Sequence, residues 1–126
     1  MSEIEISPST SRHVTIEVVD ADGRLIQGAD IDFVVNATPV GGVRRSVGKA
    51  SIVVPDPQAV VEARATVMLL TQTAQLPPGQ DAHTFRFAQA SMFKSFAPPE
   101  ARCPDGSSGQ PCVDCQIGGS IVRICS

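Results

Sequence analysis

From His13 the chain alternates apolar and polar residues with the two-residue period of a half-buried strand. In "HVTIEVVD", Val14, Ile16 and Val18 fall on one face, while Thr15 and Glu17 fall on the other. "DADGR" supplies turn chemistry, since Asp side chains cap local backbone and Gly23 tolerates positive φ. "ADIDFVVN" resumes the alternation, with Ala29, Ile31, Phe33 and Val35 inward and Asp30 and Asp32 outward. After the breakers of "NATPVGG" come a weaker strand, "VRRSV", and then "KASIVVP", with Ala50, Ile52 and Val54 on one face.

The stretch "QAVVEARATVMLLTQTAQL" admits two readings. Asp56-Pro57 and the alanines suit a helix. Val61, Ala63, Ala65, Val67 and Leu69 nevertheless alternate with Glu62, Arg64, Thr66 and Met68, and this pattern favours a strand, or two strands with a bulge. "PPGQD" turns the chain, and "HTFRF" follows with Phe85 and Phe87 on one face. Six or seven short strands between Gly/Pro/Asp turns predict an all-β sandwich over residues 13–88.

Three further segments flank that body. Residues 1–12 read as a flexible lead-in whose "EIEIS" offers an edge strand and makes a homodimer conceivable. Residues 89–102 form a connector with an apolar spot at Met92, Phe93 and Phe96, which one helical turn would gather on one side. That spot serves either as a cover for the open end of the sandwich or as a docking patch for a protein partner. Residues 103–126 hold all four cysteines.

The opening hairpin resembles that of carboxypeptidase regulatory-like and related transthyretin-like domains. The residues that carry the resemblance are Asp20, Asp22-Gly23 and Gly28-Ala29, followed by "SVGKASIVVPD" and "VVEARAT". It spans about residues 13–88 and leaves the cysteine segment outside. It implies a seven-strand sandwich, transthyretin- or Ig-like, without catalytic residues, acting as a spacer, scaffold or interaction module.

Composition narrows the function classes. Ten basic against 13 acidic residues give a net charge of −3, and Arg44-Arg45 is the sole adjacent basic pair. Nucleic acid needs clustered Lys and Arg to displace counterions, so it is not an expected partner. The longest apolar run, Val67 to Leu70, is far short of a membrane span. The acidic start lacks the positive and apolar regions of a secretory signal, so a complete chain would be cytoplasmic. No G-x-S-x-G, H-E-x-x-H or P-loop pattern occurs, and no enzymatic activity is expected. His13 and His83 would need a neighbouring nucleophile to act. The Asp20, Asp22, Asp30 and Asp32 set lacks the spacing of a calcium loop and reads as a turn plus a solvated face.

The cysteine spacing, Cys103-x8-Cys112-x2-Cys115-x9-Cys125, is the strongest chemical signal. A C-x2-C knuckle presents two thiolates from one turn, and Gly118-Gly119 folds "SIVRIC" back towards it. Structural zinc held by Cys103, Cys112, Cys115 and Cys125 is therefore the leading expectation. Two disulfides suit the same count if the chain is exported, with 103–112 plus 115–125, or 103–125 beside 112–115, as pairings. Reactive thiols in a metal- or redox-responsive tail are the remaining reading. The expected function is a non-enzymatic interaction or accessory module whose cysteines are structural.

Overall fold

The structure, a computed structural model, describes residues 11–88 and 97–126. Seven strands follow the sandwich body: β1 (Arg12–Val19), β2 (Asp30–Val35), β3 (Thr38–Arg44), β4 (Lys49–Val54), β5 (Val61–Val67), β6 (Leu70–Leu76) and β7 (Ala82–Arg86). Four more lie in the cysteine-bearing segment: β8 (Glu100–Arg102), β9 (Ser108–Gly109), β10 (Cys112–Ile117) and β11 (Ser120–Cys125). They form two sheets, ordered β10-β11-β4-β1-β7 and β6-β5-β2-β3-β8-β9. Among these strands β1 and β7 run parallel and the other pairs are antiparallel.

The alternation read from the sequence sets the inner faces. Val14, Ile16 and Val18 meet Ile31, Phe33, Ala63 and Ala65 in a core where each is at most 1 % exposed. Asp30 and Asp32 point away from it, on the outer face of the six-stranded sheet. Residues 57–76 contain no helix: β5 and β6 form a hairpin with Val67 opposite Leu70. Two residues, Met68 and Leu69, make its turn, so the stretch is two strands, joined by a tight turn and not by a bulge.

The third strand starts earlier than "VRRSV" suggests. Asn36 and Ala37 both take positive φ, 47° and 69°, and close a two-residue hairpin between Val35 and Thr38. Pro39 is tolerated because the register shifts just beyond it, between Phe33 and Val34 on the partner strand.

Residues 100–125 do not form an appendage beside the sandwich. β8 adds to β3 in one sheet and β11 adds to β4 in the other. Ala101, Cys115, Val122 and Ile124 enter the common core, all at most 3 % exposed. Gly41, at φ 121°, makes this possible, because a Cβ there would strike the Arg102 carbonyl and come within 2.9 Å of Ile124 Cδ1.

At the start of β1 Arg12 is 4 % exposed and acts as an internal clamp. Its guanidinium donates to the carbonyls of Ala59 (2.6 Å), Leu76 (2.8 Å), Pro77 (2.7 Å) and Gln80 (2.6 Å). Five fixed donors in a plane suit several carbonyls at once, and here they pin two loops to the first strand.

Candidate functional site

The four cysteine sulfurs that the spacing gathers around one zinc are instead bonded in two pairs, Cys103–Cys115 and Cys112–Cys125. The reason is local. Cys112 and Cys115 lie in a strand rather than a turn, and residues three apart on a strand face opposite sides of the sheet. Cys115 therefore points into the core, fully buried, and meets the buried Cys103 at the end of β8. This bridge, with Cα atoms 5.4 Å apart, joins the two sheets.

Cys112 turns outward and sits directly opposite Cys125 in the β10–β11 ladder, Cα atoms 4.0 Å apart. That close approach belongs to the non-hydrogen-bonded kind of antiparallel pair. Neither expected pairing is the one found, since both overlook the inward and outward split. Among the described residues no group of three or more His, Cys, Asp or Glu side chains is placed to hold a metal ion.

The hairpin is also tied by charge. Arg123 grips Asp114 with two bonds, Nε to Oδ1 at 2.7 Å and Nη2 to Oδ2 at 3.1 Å. The guanidinium holds the Asp114 carboxyl below its ordinary range, and the carboxylate raises Arg123 in turn.

The aspartates considered for calcium are otherwise engaged. Asp20 Oδ1 accepts the backbone N–H of Asp22 (2.9 Å) and Arg24 (3.0 Å), a turn-capping role. Asp32 pairs with Arg44, which also lies 3.5 Å from Asp30. His13 is exposed on β1, and the half-buried His83 packs edge-on against Phe85 with ring centroids 4.6 Å apart. Met92, Phe93 and Phe96 lie outside the described residues.

Two surface features stand out. On the outer face of the six-stranded sheet the Gly41-Gly42 step leaves a groove of about 430 Å³ between Asp32, Arg44, Arg64 and Arg102. Its arginines are paired with carboxylates, Arg44 as above, Arg64 with Glu62 and Arg102 with Glu100, and Arg102 lowers the Glu100 carboxyl. A face so balanced has little net field with which to select a charged ligand.

The second feature is the β5–β6 hairpin tip. Met68, Leu69 and Leu70 are 69 %, 98 % and 50 % exposed. Met68 has φ 56°, a left-handed conformation that costs a residue with a Cβ about 1–2 kcal/mol and for which glycine is the usual choice. Consecutive large apolar side chains in water, on a strained turn, are contrary to what stability alone favours.

Sequence reasoning passed over this tip. "VMLL" reads there as strand alternation and as an apolar run too short for a membrane, although no charge occurs from Ala65 to Gln80. No family model, no curated protein and no solved structure matches this chain.

Proposed function

We propose that this chain is a non-enzymatic interaction module, locked by two disulfides and working in an oxidising compartment, that docks on a protein partner through its β5–β6 hairpin. The observation that carries the reading is the Met68–Leu70 tip, strained and exposed with Leu69 at 98 %. Burying one such side chain gives back about 1.5–3 kcal/mol, so an apolar recess on a partner recovers what the free tip gives up. The resemblance to transthyretin-like modules supports the same role, as does sulfur committed to bridges rather than to nucleophilic thiolate.

The test is photo-crosslinking with diazirine analogues of methionine and leucine incorporated into the chain. Adducts to another polypeptide at Met68, Leu69 or Leu70, lost in the Leu69→Ser protein, are expected. Adducts confined to other positions overturn the reading.

The half-exposed Cys112–Cys125 bridge favours a second, redox-responsive reading, because exposed disulfides exchange more readily than buried ones. Mild thiol treatment that opens this bridge alone and changes partner binding would select it. Unchanged binding discards it.

A further inference from the structure

The β6 strand (Leu70–Leu76) is an edge of its sheet, and among the described residues nothing pairs with its outer side. Proteins usually blunt such an edge with Lys, Pro, a bulge or brevity. This one has seven residues, an unbroken register against β5 and no charge or proline within it. An edge left so open is suited to strand addition.

Its sequence selects the partner. Read outward from Thr73, "LTQTAQL" has leucine at both ends and no charge between: Leu70 answers Leu76, Thr71 answers Gln75, and Gln72 answers Ala74. Antiparallel pairing of two copies about Thr73 therefore sets leucine against leucine at both ends and uncharged residues against one another between them, with no charge opposed to a like charge. The backbone agrees. Val67 and Leu70 flank a two-residue turn, which makes them a hydrogen-bonded pair. Leu70, Gln72, Ala74 and Leu76 then bond inward to β5, and Thr71, Thr73 and Gln75 turn their N–H and C=O groups outward. Those three are symmetric about Thr73, as a two-fold axis requires.

The same register sets Met68 and Leu69 of one copy beside Pro78 and Pro77 of the other. The exposed tip thus gains an apolar neighbour, and the prolines, lacking N–H groups, end the ladder there.

We infer that the partner engaged by the β5–β6 hairpin is a second copy of this chain, joined edge to edge through β6 with Thr73 on the two-fold axis. The inference rests on the docking function proposed above and names its occupant. Two six-stranded sheets become one continuous sheet of twelve.

Charge exchange at the axis tests it. Thr73 is exposed on the outer face, so neither Thr73→Lys nor Thr73→Glu disturbs the core. The wild-type chain is expected to be dimeric by light scattering at high micromolar concentration. Each variant alone places like charges opposite each other and weakens self-association at least about tenfold. Mixing the two variants restores a dimer, now of one copy of each. Three results overturn the inference: a wild-type chain monomeric at millimolar concentration, a dimer indifferent to either variant, or no recovery on mixing. The crosslinking experiment separates this failure from that of the docking reading, since adducts from the tip to a different polypeptide retain docking and reject the second copy.

Discussion

Replacing Cys103 and Cys115 together by alanine removes the bridge between the sheets, and its cost follows from two quantities. The bridged residues are 12 apart, and closing a loop of that size in the unfolded chain is worth about 3 kcal/mol at room temperature. Both half-cystines are buried, at 5 % and 0 % exposure, so the alanines also leave sulfur-sized voids worth about another 1 kcal/mol. Native domains are stable by only about 5–15 kcal/mol, so a loss of roughly 4 is a large share. For a chain of this length it lowers the melting temperature by about 10–20 °C.

Urea unfolding followed by circular dichroism reads both the stability and its origin. Because the bridge acts mainly on the unfolded ensemble, the denaturant slope rises when the chain is freed to expand. The matched Cys112→Ala/Cys125→Ala protein loses a similar loop term but no buried void, and it falls less. A drop below about 4 °C with an unchanged slope would refute the reasoning, because the segment would then hold its place without the bridge.

Three other outcomes follow from the same contacts. Arg12→Met leaves four carbonyls without their donor and is expected to cost at least about 3 kcal/mol in urea unfolding; a smaller loss would show that water replaces the guanidinium. Met68→Gly relieves the left-handed turn and raises stability by up to about 1 kcal/mol while weakening self-association, and unchanged association separates the tip from the interface. The Asp114 carboxyl is held low by Arg123, so its contribution is present at neutral pH and fades as acid protonates it below the ordinary carboxylate range. Amide protection in β10 and β11, corrected for the intrinsic exchange rate at each pH, is expected to fall there, and Asp114→Asn at neutral pH should show the reduced protection that the wild type shows in acid.

Much of the first seven strands was legible because their two faces differ so sharply. Asp30 and Asp32 alternating with Ile31 and Phe33 leave one register possible, and the structure adopts it. The cysteine segment was less legible for a physical reason. Its spacing was read as ligand geometry, which presumes a turn at "CVDC", whereas Val113 and Gln116 extend a strand that sends Cys112 and Cys115 to opposite faces. The Gly118-Gly119 hairpin was read correctly, and with it the return of Cys125 towards the Cys112–Cys115 stretch, though not its pairing with Cys112. Its attachment to β4 and β3 depends on long-range pairing that no local pattern encodes. Gly41 is the one sequence mark of that contact, and its meaning appears only when Arg102 and Ile124 are seen against it.

The two sides of the sandwich treat their edges in opposite ways. Beyond β3 and β4, where seven strands alone would leave both sheets open, the chain adds β8 and β9 to one and β11 and β10 to the other. It then bonds the additions across the core through Cys103–Cys115. The outermost strands there are a two-residue β9 and a β10 that carries Asp114, both poor templates for further pairing. On the far side β7 is short and bears His83 and Arg86, which discourages addition to that sheet. Only β6 is long, uncharged and uncovered among the described strands, and its first residue, Leu70, continues the exposed apolar run of Met68 and Leu69 in the turn before it. Covalent closure of one side and charge on β7 show that the fold has the means to protect an edge. Leaving β6 without any of them, beside a tip that itself costs stability, is consistent with selection for contact there rather than with neglect.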